Sequence, residues 1–487
     1  MWVNKTISTP PEGPANPEIT GVTCDSRRVA PGFLFAAIPG TTNDGRDYIA
    51  DALARGAAAI LAPPGTRLPD GYETTPVLDT DNPRRRYALL AARFYPRQPD
   101  CVAAVTGTNG KTSVAGFLRQ IWKSAGYEAA SAGTLGIQSD VFSRDDGLTT
   151  PDPADLHADL AHLAEQGVDH LALEASSHGL DQHRLDGLRI TAGAFTNLSR
   201  DHLDYHGSVD AYLAAKRRLF DDLIVDGGAA VINADDPHGP DMIAAAQARH
   251  LRVRTYGERG VDIKLLSTRP EAKGQHLDLL VDGVEHSLFL PLAGHFQAMN
   301  ALCALGLAEV TGIEAPVALK ALESLTGAPG RMEWIGETPE GAVVYVDYAH
   351  TPDALENVLS ALRPHTAGAL VAVIGCGGDR DKGKRPEMGR IATDLADRVI
   401  VTDDNPRTED PAVIRAEIMA AAPGASEIGD RADAIETAVA GLAAGDVLVI
   451  AGKGHERGQI VGKRILPFDD REAARAAIAG LSGDGEG

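Results

Sequence analysis

A chain of 487 residues is long enough for about three domains of ordinary size. Hydrophobic residues make up 44% of it, enough for several cores, and a formal net charge of −22 argues against a general nucleic-acid or membrane-surface binder. Anionic ligands must then be met by local devices: helix N-termini, metal ions and a few placed Arg and Lys residues.

The first twenty residues, MWVNKTISTPPEGPANPEIT, lack the apolar core of a signal peptide, and no uninterrupted apolar run reaches transmembrane length. Cys24, Cys101, Cys303 and Cys376 form no C-x-x-C pair and read as thiols in a reducing compartment. The expectation is a cytoplasmic protein with no membrane insertion.

Residues 1–98 form a first unit with a Pro-rich head. Leu34–Ile38 and Ala57–Leu61 read as strands, and Tyr48–Ala54 as a short helix. On residue type alone, Asp25, Ser26 and the run Thr41–Asp44 are ordinary turn residues. The linker Phe94–Pro99 leads into a second unit, residues 99–329. Here Val102–Val105 reads as a buried strand, TGTNGKT (106–112) as a tight glycine-rich loop, and Ser113–Trp122 as a helix with Val114, Phe117, Leu118 and Ile121 on one face. Strand, loop and helix in that order aim backbone N–H groups at a phosphate, with Lys111 reaching its terminal groups and the Thr112 hydroxyl holding Mg²⁺. The loop is shorter than a standard Walker A, because Val105 stands where the first glycine would be and the glycines are Gly107 and Gly110. The alternative is a glycine-rich turn with a surface lysine.

Further along, Thr149 and Thr150 in GLTTPDP precede a Pro-Asp-Pro turn and could cap a helix. The strand His170–Ala175 carries Glu174 near its end, where many nucleotide-hydrolysing folds keep a Mg²⁺ ligand; the alternative is a surface glutamate. The strand Ile190–Thr196 runs into TNLSRDHLDYHG, in which Asp201, His202 and His206 could serve a metal, although a lone histidine is usually structural. Lys216, beside Arg217 and Arg218 in AYLAAKRRLF, reads bare as part of a solvated basic face. A strand at AAVIN, two hydrophilic strands and a glycine turn into a helix over 292–310 follow. Asn300 in that helix is either a packed or capping amide or a ligand contact.

The third unit, residues 330–487, has strands at Val343–Val346, Val371–Ile374, Val399–Val401 and Val447–Ile450. Each is followed by a polar cluster: DYAHTPD, GCGGDRDKGKRP, TDDNPRTEDP and AGKGHERG. Ligands of open α/β sheets bind outside the carboxyl ends of the strands, so four clusters at one edge make a site. Neither GKGHERG nor GCGGDR is a dinucleotide fingerprint. Arg380 and Arg407 could grip carboxylates, and Asp404 and Glu456 ammonium groups, which suits an amino acid with several ionic groups.

The loop TGTNGKT resembles the phosphate loop of the Mur ligases and of their relatives, the folylpolyglutamate synthases. The N-terminal pattern D-S-R…G-x-x-F-x-A…G…D-G-R and the run TNLSRDHLDYHG also resemble the Mur ligases, and Asp404-Asn405-Pro406-Arg407 matches the D-N-P-R motif of those that add meso-2,6-diaminopimelate. The likeness runs from about Asp25 to Asp469. It implies an α/β fold in three domains: an N-terminal mixed α/β UDP-binding domain, a central P-loop ATPase-like domain with a mostly parallel sheet, and a C-terminal Rossmann-like domain.

The resemblance also implies a reaction in peptidoglycan precursor synthesis. UDP-N-acetylmuramoyl-L-alanyl-D-glutamate is activated by ATP as an acyl phosphate, and diaminopimelate displaces the phosphate. By this likeness ATP meets Gly107, Thr108, Asn109, Gly110, Lys111, Thr112 and Ser113, with Asn300, Arg331, Asp347 and His350 beside it. In the helix over 292–310 the family usually shows G-x-F-N-x-x-N; Gln297 replaces the first Asn, and Asn300 is kept. The UDP-sugar peptide meets Cys24, Ser26, Thr41, Thr42 and Asn43, then Thr149, Thr150, Ser176, Gln182 and Arg184. Diaminopimelate meets Arg380, Asp404, Asn405, Pro406, Arg407, Gly452 and Glu456. One Mg²⁺ sits on Thr112 and Glu174, and a second on His202 and on Lys216 carrying a CO₂-derived carbamate (N6-carboxylysine). Lys111, Glu174, His202 and Lys216 are the implied catalytic set, and the expected enzyme is a monomer.

Four other readings stay open at this level. A ligase of the same class could add L-lysine, though Arg407 speaks against it. A folylpolyglutamate synthase would leave D-N-P-R without a purpose. A P-loop motor or kinase is disfavoured by the short loop, and a non-catalytic nucleotide-binding regulator by the intact Lys111, Glu174, His202 and Lys216.

Overall fold

The computed structural model describes residues 17–40, 43–144, 148–199 and 201–483. The first sheet has four parallel strands in chain order, β1 (Gly21–Thr23), β2 (Phe33–Ala36), β3 (Ala59–Ala62) and β4 (Val77–Asp79). The helix Pro83–Phe94 packs on it through Tyr87 and Ala91. Arg28 pairs with Asp155 at 2.7 Å and Arg85 with Asp186 at 3.0 Å, tying this unit to the next.

The central sheet has ten strands: β5 (Cys101–Thr106), β6 (Ala129–Gly133), β7 (Gly136–Gln138), β8 (His170–Glu174), β9 (Ile190–Phe195), β10 (Ile224–Asn233), β11 (Arg252–Gly257), β12 (Ile263–Glu271), β13 (Gly274–Val281) and β14 (Val284–Leu290). Their order is β14-β13-β12-β11-β10-β9-β5-β8-β6-β7, parallel from β12 to β6 and antiparallel at both margins. The strand β5 lies inside the sheet with apolar cores on both faces, which is why it reads as a continuous apolar run. The helix after it spans Lys111–Ser124 and begins two residues earlier than its apolar period, so Lys111 and Thr112 sit on its first turn. Four strands, not two, fill the stretch from Arg252 to Leu290.

The third sheet comprises β15 (Glu333–Glu337), β16 (Val343–Asp347), β17 (Leu370–Ile374), β18 (Arg398–Val401), β19 (Ser426–Glu427) and β20 (Val447–Ala451), in the order β15-β16-β20-β17-β18-β19. Only β15 runs antiparallel, and a hairpin, β21 (Gly458–Val461) with β22 (Arg464–Pro467), follows β20. Below the loops Arg431 and Asp470 form a buried bidentate pair at 2.6 and 2.7 Å.

The third unit rests on the central one near the β12–β13 turn. His365 meets the Glu271 carbonyl through Nδ1 at 2.7 Å and takes the Gly294 N–H on Nε2 at 2.9 Å. Tyr345 donates to the Ala272 carbonyl at 2.8 Å, and the buried Gln297 amide reaches the Arg331 carbonyl at 3.3 Å.

Candidate functional site

The loop after β5 is shaped by its glycines and held by β9. Gly107 and Gly110 have φ of 152° and 88°, and a Cβ on either would strike Thr196 or Asn300. Thr196 donates to the Asn109 carbonyl at 2.6 Å, and Asn197 accepts the Asn109 N–H at 2.9 Å. Thr196 and Asn197 escaped the sequence reading, although they stand at the carboxyl end of a parallel strand.

Lys111 folds back, its Nζ donating to the carbonyls of Gly107 and Thr108 at 2.8 Å each. Burial pulls its pKa down, and the nearby Glu174 opposes this. Thr112 is half-buried and Ser113 buried on the same turn.

Glu174 is a buried carboxylate 2% exposed, not a surface residue. Thr134 fixes it through its N–H at 2.9 Å and its hydroxyl at 3.1 Å, and Gly133 leaves the room it occupies. Lys216 is likewise buried, at 1% exposed, with Nζ 2.7 Å from the Gly107 carbonyl and 4.4 Å from the centre of the Tyr212 ring. The solvated basic face is confined to its neighbours: Arg217 is exposed and pairs with Asp221. Burial, reinforced by Lys111, drives the Lys216 pKa well below the usual lysine range. His202, half exposed, sits at φ 52° with its Nε2 3.5 Å from Asp201. His178 lies edge-on to it, ring centres 4.8 Å apart, while His206 lies edge-on to Tyr205 and tilted against Tyr212. Among the described residues no group of three His, Cys, Asp or Glu side chains is placed to hold a metal ion. A cation here would find the Glu174 carboxylate, the His202 ring and the Thr112 hydroxyl; Mg²⁺, which needs few protein carboxylates and takes phosphate oxygens and water besides, fits such a donor set.

Thr149 and Thr150 are not helix caps; Asp152 caps the helix Pro153–Glu165. Thr149 shares a hydrogen bond with Thr134 at 3.0 Å. Thr150 donates to the Glu174 carbonyl at 3.0 Å and accepts from the Ser176 hydroxyl at 2.9 Å. Arg184 reaches the Thr150 carbonyl at 2.6 Å and Gln182 at 2.7 Å. Thr134, Thr149, Thr150, Ser176, Gln182 and Arg184 therefore form one network around Glu174, with Thr149 joined to it through Thr134. Cys24 donates to Asp152 at 3.1 Å and so lies at the same margin, whereas Ser26 is buried in the first unit with its side chain on Asp51. Asn43 is exposed, its carbonyl held by the Gly40 N–H; Thr41 and Thr42 lie outside the described residues.

Asn300 is buried against Gly110 of the phosphate loop and hydrogen-bonded to Gln297 at 3.2 Å, so the exchange of Asn for Gln at 297 keeps an amide pair. Arg331 lies 4.8 Å from the Tyr348 ring centre, its Nε buried without a partner among the described residues. The Asp347 carboxylate accepts the Met332 and Ala349 N–H groups at 2.6 and 2.8 Å; burial raises its pKa, and Arg331 pulls it back. His350 is bound to the Tyr348 carbonyl at 2.8 Å, and burial lowers its pKa.

At the carboxyl ends of β17, β18 and β20, the other three polar clusters meet. Arg407 sits at φ 52°, donates to the Gly378 carbonyl at 2.8 Å, and is stitched by its backbone to Ile460 of the hairpin at 2.9 Å. Arg380 is exposed, with one contact to the Asp379 carbonyl at 3.1 Å. Asp404 is buried against Gly452. Pro406 packs its carbonyl against Gly378. Glu456 accepts from Asn405 Nδ2 at 2.8 Å. Under this loop pair, Glu409 binds the buried Arg385 at 2.9 Å and the Asp379 N–H at 2.6 Å, and its pKa is held down to about 2. The sequence reading missed Glu409, Arg385 and Lys453.

Known proteins share the order of these three domains. Residues 105–308 match the model for the Mur ligase middle domain, 330–454 that for the Mur ligase glutamate ligase domain, and 18–99 that for the Mur ligase family catalytic domain. The chain is 56% identical over 474 residues to UDP-N-acetylmuramoyl-L-alanyl-D-glutamate–2,6-diaminopimelate ligase of Caulobacter vibrioides, covering 96% of each chain. The protein of that name from Agrobacterium fabrum is 55% identical over 466 residues, covering 96% of this chain and 94% of the relative. A solved structure of a ligase of that name superposes with a TM-score of 0.73 at 37% identity, covering 95% of each chain.

Proposed function

We infer the reaction from the premise that the chain belongs to the Mur ligase family. It is an ATP-dependent ligase that joins meso-2,6-diaminopimelate to UDP-N-acetylmuramoyl-L-alanyl-D-glutamate in peptidoglycan precursor synthesis. The observation that carries this reading is Arg407. Diaminopimelate has one carboxylate more than lysine, and Arg407 offers a guanidinium on the loop pair that carries Asn405 and Glu456, with Nη1 on the Gly378 carbonyl and Nε and Nη2 uncommitted among the described residues.

Residues 1–98 hold the uridine end of the sugar nucleotide, 99–329 the ATP and the acid to be activated, and 330–487 the incoming amino acid. The glutamyl carboxylate attacks the γ-phosphorus, the bond to the β-bridging oxygen breaks, and ADP leaves. The amine then attacks the acyl carbon, loses a proton, and expels phosphate. Two anions meet in the first step, so charge neutralisation dominates. The loop amides and Lys111 take the phosphate oxygens, Asn300, Arg331, Asp347 and His350 close on the nucleotide from the other side, and Thr150, Ser176, Gln182 and Arg184 orient the acid. Magnesium, when bound, neutralises the phosphate and carboxylate oxygens; Thr112 with Glu174, and His202 with Lys216, would hold it. The reading is tested by supplying ATP and the UDP-sugar dipeptide with diaminopimelate or lysine. Sustained ADP turnover should require both substrates, and the amide should form with diaminopimelate. Continued turnover without an acceptor, beyond one ADP per enzyme, would defeat it.

Lys216 would hold the second ion as its carbamate. Burial favours the neutral amine, and a neutral amine adds to CO₂ with loss of one proton. The product is an oxygen anion suited to a hard cation. Lys216→Ala is expected to lose at least about 10–100-fold in turnover, with partial rescue by added acetate. With ¹³CO₂ the wild-type enzyme should show a carbamate carbon resonance that the variant lacks; full turnover in CO₂-free buffer would count against it. The same reading makes the enzyme a cytoplasmic monomer; among the described residues, no helix is long and apolar enough to cross a membrane.

A further inference from the structure

Lys453 is 0% exposed, and its burial calls for an explanation. Taking an ammonium out of water is costly unless every proton finds an acceptor. Here each does: Nζ lies 3.2 Å from Asn405 Oδ1, 3.0 Å from Glu456 Oε2 and 2.6 Å from the Gly458 carbonyl. Three acceptors match the three protons of an ammonium and leave no lone pair, so Lys453 is not a base for the incoming amine.

The acceptors are the informative part. Asn405 belongs to the loop after β18, Glu456 to the loop after β20, and Gly458 opens the hairpin. Asn405 Oδ1 also accepts the Ile460 N–H at 2.9 Å, and its Nδ2 donates to Glu456 Oε2 at 2.8 Å. The amide of Asn405 can satisfy these partners in one orientation only. Glu456 Oε2 is then taken twice, by Lys453 and Asn405, while Oε1 has no partner among the described residues. The glutamate is thus presented with one oxygen anchored and the other open, and its charge is balanced from below.

We propose that Lys453 is a positioning residue for amino-acid selection: it locks Asn405 and Glu456 into one geometry, so that the open oxygen of Glu456 receives a substrate ammonium group. The proposal rests on reading this pocket as the diaminopimelate site. Without the lysine, Asn405 is free to flip and Glu456 to swing toward solvent.

Removing one partner of an ion pair is most damaging when the other is left buried; the Glu456 side chain is 33% exposed and can be solvated, so Lys453→Met should fold. Its KM for diaminopimelate should rise about 10–100-fold, as expected for a lost charge-assisted hydrogen bond. The KM values for ATP and for the UDP-sugar dipeptide should stay within about threefold, since neither touches this loop pair. The double variant Lys453→Met/Glu456→Gln should lie within about twofold of Glu456→Gln alone, because the lysine acts through the glutamate.

An unchanged KM for diaminopimelate would overturn the proposal. So would a rise in all three KM values with a lowered melting temperature, or losses that multiply in the double variant. If Lys453→Met does not fold, Lys453→Gln is measured instead; if neither folds, the lysine serves the fold and the proposal fails. Arg407→Ala is run in parallel. A selective loss there with none at Lys453 defeats only the positioning role, whereas no selective loss at Arg407 defeats the pocket assignment itself.

Discussion

Lys111→Ala is expected to lose about 10²–10³-fold in ADP release at saturating substrates, the range for removing one preorganised charge-stabilising donor. The folded loop should survive the change. Lys111 gives two hydrogen bonds to loop carbonyls, but Gly107 and Gly110 set the backbone, and Thr196 and Asn197 hold Asn109 from β9. The melting temperature is therefore the control, and it should move little while turnover collapses. Burial lowers the pKa of Lys111, and phosphate oxygens beside Nζ would favour its charged form. A variant that still formed amide bonds at full speed would remove the phosphate loop from the reaction.

Arg407→Ala should reduce kcat/KM for diaminopimelate by about 10²–10³-fold, the cost of truncating one partner of a buried charge pair, and leave the low rate with lysine within about threefold. The reason is local. One arm of the guanidinium is spent on the Gly378 carbonyl, which orients the remaining donors, and the positive φ at Arg407 is held from both sides by the hairpin backbone at Ile460 and Gly462. Those backbone bonds persist in alanine, so the loss reads out the side chain. An amino-acid panel measures it: equal losses for all acceptors would mean that the arginine selects nothing.

The phosphate loop and the polar edge of the third sheet were legible because both follow parallel strands, whose apolar runs are easy to find and whose carboxyl ends collect ligands. The inward turn of Lys216 was not. The triplet Lys216-Arg217-Arg218 shows charge but not direction, although Tyr212 four residues earlier marks the buried face of that helix. Glu174 looked ambiguous because its partner, Thr134, lies on a loop forty residues away. The strands β12–β14 were undercounted since much of that sheet margin is solvated; β13 buries alternate residues and gives no apolar run. Lys453 sits in a glycine-rich loop, where no period exists to say which side chain points inward. Asp152, between two prolines, outcompeted the threonines before it as a cap.

The histidine at the seam between the second and third units carries a chemical condition. Its two partners assign the tautomer: Nδ1 carries the proton donated to Glu271, and Nε2 keeps the lone pair that takes the Gly294 N–H. Only an uncharged imidazole can do both, and burial, which lowers the pKa of His365, keeps it uncharged at neutral pH. Acidification to the point where this ring gains its second proton must break the contact with Gly294, one residue before the helix that carries Asn300. The contact is thus kept at neutral pH and lost only in acid, so the third unit is held to the central one through an uncharged ring.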